Sequence, residues 1–265
     1  MQINRFDRYQ DHPSLIHRLD PRVKVVVTLL FILSNSLLPD GAWPAALIAW
    51  GMVFFAGHLA RLSPGYLLKR SFIVLPFTLA AVTVIFNVPG SPVWVWQWGE
   101  RSVVVTSQGM IRFASIITRS WLSVQMAILL TAVTRFPDLM HALRHLRLPH
   151  ILISIISFMY RYLFVLADEA GRLLRARAAR SARPAGGGGG GTLRWRASVA
   201  GGMIGQLFLR SFERSDRVYN AMLSRGYQGE LLTMNPHLIS SLDWQIGGVA
   251  ILFIVLIQAV GHLFT

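Results

Sequence analysis

Five apolar stretches, at 23–38, 43–60, 71–88, 110–134 and 243–263, are broken by basic loops and by one arginine-rich interval of about a hundred residues. A helix needs about 17–25 apolar residues to cross a bilayer core, and only helices and closed barrels satisfy their backbone polar groups there. The pattern therefore confines the chain to an all-α polytopic membrane protein with about five transmembrane helices. The mean hydropathy of +0.48 and a charged fraction of 14%, against about 25% in ordinary soluble domains, agree with that class. The first stretch, VKVVVTLLFILSNSLL, is short, but Arg22 and Lys24 can extend their charged heads to the membrane surface. Pro76 predicts a kink in the third.

The net charge of +14 comes almost wholly from arginine, since Lys24 and Lys69 are the only lysines. In a soluble chain that balance would point to nucleic acid. Here it marks loops on the cytoplasmic side facing anionic lipid, and no nucleic-acid partner is expected. The absence of cysteine excludes disulfides, thiolate metal sites and thiol catalysis. Arg5, Asp7, Arg8, Asp11 and Arg18 precede any apolar run, so the N-terminus does not read as a signal peptide.

Two local features stand out in the membrane region. Over 92–106, Trp94, Trp96 and Trp98 alternate with Val95 and Gln97 before a turn at Gly99-Glu100 and a valine run. Period-two alternation of this kind predicts a small interfacial hairpin. In the fourth stretch, Arg112 and Arg119 are seven residues apart and share a helix face. Arg112 is near enough to the end to reach water, so Arg119 is expected either to pair with a neighbouring helix or to serve function.

Segment 151–167 is apolar, yet arginines flank it on both sides: 135, 144 and 147 before it, and 172, 175, 177, 180 and 183 after it. The positive-inside rule holds both flanks in the cytoplasm, so the segment is expected not to cross. The N-terminus is then inside and the 39–42 and 89–108 loops outside. Three regions follow: four spans in 1–134, a cytoplasmic helical module in 135–230 with a glycine linker at 186–191, and a last span within 231–265. Helices are predicted over about 137–147, 149–183 and 193–224, the last stopped by Gly226.

In the third of these helices Ala197, Gly201 and Gly205 recur every four residues and make a strip against which a helix can pack closely. The second helix is the expected partner, so the two are predicted to cross. Val199, Met203, Leu207 and Phe208 form an apolar flank, and Glu213 is spaced for pairs with Arg210 and Arg217. Near the ends of the two helices stand Ala176-Arg177-Ala178 and Ser224-Arg225-Gly226. Small neighbours let each guanidinium enter a groove, where its planar fork can engage carboxylates and carbonyls. Macrodipole and lipid interactions also favour arginine at such positions.

These residues resemble the T component of energy-coupling factor (ECF) transporters. The segment SLIHRLDPRVK, Ser14 to Lys24, is similar to the one preceding that family's first span, and the two tripeptides resemble its paired Ala-Arg-Gly motifs. RLLRARAARSA and SFERSDRVYNAMLSRGYQG look most like the cobalt-type members. The resemblance implies a non-catalytic scaffold in a bacterial or archaeal inner membrane. In such a scaffold crossed helices dock their arginines on two cytoplasmic ABC-type ATPase subunits, and the membrane part holds a substrate-binding subunit. A small accessory membrane subunit is a further candidate partner. Carried over, Ala176, Arg177 and Ala178 would meet one ATPase, and Ser224, Arg225 and Gly226 the other. Ala178 stands where glycine is common and Ser224 where alanine is, and Arg175 offers an alternative register for the first motif.

The run GGGGGGTLR lacks the Lys-Ser/Thr of a phosphate-binding loop, so ATP hydrolysis would need a partner. An intramembrane enzyme would need clustered acidic, His or Ser groups, and the spans offer little beyond His58 and Asn87. A stand-alone metal permease could use His141 and His145, four apart, with His150, but no cysteine or nearby carboxylate completes a site. No metal site or cofactor is expected. A cobalt or nickel importer is the leading reading, and a vitamin-type T component the alternative.

Overall fold

The computed structural model describes residues 9–98, 101–180, 192–229 and 239–264. The chain forms two compact units, one of residues 1–145 with 236–265 and the other of 146–235. The boundary falls at 145/146, so the helix expected to open the cytoplasmic module belongs to the first unit.

The first unit begins with α1 (Leu15–Arg18) and α2 (Pro21–Leu37), each started by a capping side chain. Ser14 accepts from the His17 N–H, and Asp20 accepts from the Arg22 N–H with Pro21 in the first helical position. Then come α3 (Trp43–Leu59), α4 (Pro64–Ser71), a 3-10 turn (Phe72–Val74), α5 (Leu75–Ala81) and α6 (Thr83–Asn87). The expected kink at Pro76 is thus a broken helix, with Pro76 in the first turn of α5. A hairpin of β1 (Pro92–Trp98) and β2 (Arg101–Thr106) pairs antiparallel, Trp94 opposite Val105, with an irregularity between Pro92 and Trp94. Its turn, Gly99-Glu100, lies outside the described residues. Next are α7 (Ser107–Val133) and α8 (Phe136–His145), and α11 (Ser241–Leu263) completes the unit.

The core lies among α2, α3, α7 and α11, where Phe31, Ala49, Val53, Leu122, Leu129 and Ile257 are buried. On α3 the buried residues are Ala45, Ala49, Val53 and Gly57, every fourth position. Small side chains at that interval let neighbouring backbones approach, the usual basis of helix packing in lipid. Gly109 shows the same need at the start of α7, where a Cβ would stand 2.6 Å from the Ile85 carbonyl oxygen. Leu33, Leu47, Phe55, Phe77 and Leu252 point outward, as lipid-facing residues do.

One end of this unit is tied by buried polar groups. Asp243, in the capping box of α11, accepts from the Ser240 N–H and Oγ–H at 2.8 Å each and from the Asp20 N–H at 2.8 Å. Lys24 donates to the carbonyls of His17 (3.0 Å) and Val133 (3.3 Å). Gln10 N–H donates to the Ala132 carbonyl, and Arg22 reaches His141 Nε2 at 3.1 Å. The SLIHRLDPRVK segment therefore joins α2, α7, α8 and α11. His141 is held by Arg22, and no group of three metal-ligating side chains occurs among the described residues.

At the other end, the turn after α2 meets the middle of α7. Gly41 N–H donates to Ser115 Oγ, and Asp40 takes Arg119 at 2.9 Å and Arg112 at 3.5 Å. Arg119 thus pairs with a turn, where a helix partner was one of the expectations. The 27-residue α7 is about 40 Å long against about 25 Å for the 17-residue α2, so its first turns run past that turn. This places Arg119 level with the end of α2.

Four helices among the described residues are long and apolar enough to cross a membrane: the broken Pro64–Asn87, Ser107–Val133, His150–Arg180 and Ser241–Leu263. By length and composition, His150–Arg180 qualifies although its flanking arginines predict otherwise. The apolar Trp43–Leu59 is shorter.

Candidate coupling site

The second unit holds α9 (His150–Arg180) and α10 (Leu193–Leu223), close to the predicted limits. Thr192 caps α10 by accepting from the Trp195 N–H. The linker at 186–191 lies outside the described residues. The two helices touch at two levels. Ser154 Oγ–H donates to the Gly229 carbonyl at 3.1 Å, and Arg210 donates to Glu169 at 3.1 Å. The start of α9 therefore lies beside the end of α10, and the helices run antiparallel.

Glu169 also takes Arg172 of its own helix, and that hydrogen bond holds its carboxyl below the ordinary glutamate range. Arg210 accordingly reaches across to α9, where the sequence spacing suggests a pair with Glu213. Between the helices is a cleft of about 470 Å³ walled by Ile155, Phe158, Met159, Val218, Met222 and Tyr227.

The strip of Ala197, Gly201 and Gly205 does not seat α9. A Cβ built on Gly201 or Gly205 meets nothing within 4 Å, and Ala197 is exposed. Half-buried positions on α10 instead recur at Val199, Met203, Leu207, Ser211, Arg214, Val218 and Met222. These lie across the helix from the strip, and they bury more apolar surface than glycine can offer. Val199, Met203 and Leu207 of the flank noted in the sequence, not the strip, form the packing face, while Phe208 of that flank is exposed.

The second arginine tripeptide is a helix ending with defined geometry. Tyr227 N–H donates to the Met222 carbonyl and Gly226 N–H to the Leu223 carbonyl, both at 3.0 Å, with Gly226 at φ +80°. This is the Schellman arrangement, in which the residue before the left-handed glycine closes the helix. Arg225 is that residue, exposed, with Ser224 Oγ–H donating to the Asn220 carbonyl at 2.8 Å. Tyr227 then stacks edge-on against Phe158, ring centroids 6.4 Å apart, so the tripeptide is braced on α9. Sequence reading found the helix stop but not the brace, which joins residues far apart in the chain. Gly226→Ala forces an alanine into the left-handed region and is expected to cost about 1 kcal/mol. Hydrogen exchange should then rise at residues 225–229 and stay unchanged in α7.

The first tripeptide lies in the last turns of α9, with Ala176 and Ala178 exposed and Arg177 half-buried. Arg175 is exposed beside it. Arg177 is eight residues, about 12 Å, beyond Glu169, and Arg225 is fifteen residues, about 22 Å, beyond Arg210. Because the helices are antiparallel these displacements are opposite, and the two arginines stand about 35 Å apart along the pair.

The profile of the CbiQ family, described as cobalt transport protein, matches residues 12–236. The energy-coupling factor transporter transmembrane protein EcfT of Brevibacillus brevis is 29% identical over 265 residues, 96% of each chain. The cobalt transport protein CbiQ of Rhodobacter capsulatus is 30% identical over 159 residues, 59% of this chain and 62% of that one. An uncharacterized protein of Methanocaldococcus jannaschii is 26% identical over 230 residues, 85% of this chain and 76% of that one. The chain belongs to the CbiQ/EcfT family, and its role is that of the membrane T component of an ECF-type transporter, a subunit without catalytic activity. Membership implies ATPase and substrate-binding subunits as partners.

Proposed function

We propose that this chain is the coupling subunit of a cobalt or nickel importer, with Arg177 and Arg225 each docking one cytoplasmic ATPase. The observation that carries the reading is the position of the two tripeptides at opposite ends of one antiparallel helix pair. A separation of about 35 Å leaves room for two globular partners side by side, one at each end. Closure of the ATPases on ATP would press on both ends of the pair. The Glu169–Arg210 link and the Tyr227 brace would pass that motion to the rest of the unit as one body.

In this reading five segments cross the inner membrane: α2, α3, Pro64–Asn87, α7 and α11. The N-terminus is cytoplasmic, and α9 lies along or dips into the inner face, because a crossing would strand arginines on the wrong side. The regions 1–134, 135–230 and 231–265 then serve as anchor, coupling module and final span. The Rhodobacter capsulatus relative is named as a cobalt transport protein, which supports a divalent transition metal as cargo.

The test is the mass of the purified complex. Two ATPase copies per chain are expected, falling to one in Arg177→Glu or Arg225→Glu alone. A single copy in the unaltered complex contradicts the two-site reading. Uptake of labelled cobalt and nickel by cells expressing the whole complex distinguishes the cargo.

A further inference from the structure

The first unit contains a cleft of about 620 Å³ bounded by α2, α7 and the broken helix. Ile32, Ile73, Val74, Phe77, Ile116 and Val124 supply its apolar wall. Arg119, Ser36, Ser120 and Ser123 supply the polar part. Along α7 the lining runs from Ile116 to Val124 with Arg119, Ser120 and Ser123 between them, and Arg119 and Ser36 stand on the side of the turn at 38–42. The cleft is largely apolar, with one cationic side chain in its lining, Arg119, held beside the turn by Asp40.

Beside the cleft the charge is unbalanced. Asp40 is the single carboxylate shared by Arg119 at 2.9 Å and Arg112 at 3.5 Å. Two guanidinium groups against one carboxylate leave one positive charge in excess. Asp40 takes one Nη–H of Arg119, whose remaining donors are on a side chain that lines the cleft. The Arg112 side chain is 55% exposed. The occupant has to match apolar walls, hydroxyl donors and one negative charge near the surface.

We propose that the cleft seats one anionic phospholipid of the surrounding bilayer. Its acyl chain packs against Ile32, Phe77 and Val124, and its phosphate engages Arg119 in the lining, with Arg112, which shares Asp40 beside it, adding the second positive charge; the Ser36 and Ser120 hydroxyls can donate to headgroup oxygens. One net negative charge on the lipid balances the excess around Asp40. The site also explains why Arg119 lies within a span. Its carboxylate partner fixes its direction, and the lipid supplies the rest of the counter-charge.

The test is native mass spectrometry of the full chain in detergent carrying phosphatidylglycerol or phosphatidylcholine with matched acyl chains. One retained phosphatidylglycerol is expected, held several-fold more than phosphatidylcholine. Arg112→Gln, a change at a half-exposed side chain, should bring the two lipids to near-equal retention. Ser120→Phe, which fills the cleft, should release both. Ser36→Phe on the opposite wall should do the same, so a misfolded single variant does not decide the outcome. Equal retention of the two lipids in the natural chain overturns the proposal, as does retention unaffected by Arg112→Gln. A cross-link from Ser120→Cys to a partner polypeptide in the assembled complex, in place of lipid, also overturns it.

Discussion

Arg177→Glu combined with Arg225→Glu is expected to abolish recovery of the ATPase with the membrane subunit. An arginine anchor whose guanidinium is engaged by its partner costs about 2–4 kcal/mol on truncation, or roughly 30- to 1,000-fold in affinity. Reversal adds repulsion to that loss, because a groove built for a cation then meets a carboxylate. The membrane unit should be untouched: Arg225 is exposed at a helix end, and Arg177 lies in the last turns of α9, in the other unit. Unaltered thermal stability with lost co-purification is therefore the expected pair of readings. The Gly226→Ala variant separates charge from shape. It keeps Arg225 but loosens the turn that presents it, so ATPase binding should weaken by less than tenfold.

Asp243→Ala is expected to give the largest loss of stability. This carboxylate completes the capping box of α11 and also receives the buried Asp20 N–H that opens α2. Removing it deletes a helix cap, at about 0.5–2 kcal/mol, and leaves a buried N–H without an acceptor, at about 1–3 kcal/mol. The sum of about 1.5–5 kcal/mol corresponds to a fall in Tm on the order of 10 °C. Asp243→Asn keeps an oxygen for Asp20 and should lose less than half as much. A thermal-unfolding series in detergent checks both, and equal losses for the two variants would contradict the role assigned to that oxygen.

What the sequence made legible was local. Gly226 is a stop signal that acts within one turn of helix, and it marks the end it predicts, while Asp20-Pro21 and Thr192 cap their helices through equally local contacts. The tryptophan alternation gave the hairpin for the same reason, since its pairing is between neighbours in the chain. The cap and charge of Asp243 could be read locally, but not its bond to Asp20, 223 residues away. Likewise nothing near Arg119 names Asp40, because that pairing depends on α7 being longer than α2 and passing its end.

The glycine strip shows a different limit. Ala197, Gly201 and Gly205 permit close approach, but permission is not attraction, and the opposite face of α10 offers more apolar surface. Glu169 carries the same lesson for charge. Arg210 has Glu213 three residues away, yet it joins Glu169 on the neighbouring helix. A local ion pair is worth only a few tenths of a kcal/mol, so packing decides between partners. The two arginine tripeptides were visible in the sequence. Their opposed positions along the pair needed the structure.

Since the chain contains no cysteine, single cysteines can be placed without altering anything else. Ala176→Cys and Ser224→Cys, at exposed small residues flanking the two arginines, should each cross-link to an ATPase subunit in the assembled complex. The doubly substituted chain should capture two. Cross-links from neither position, with the complex otherwise intact, would contradict the assignment of Arg177 and Arg225 as the coupling contacts.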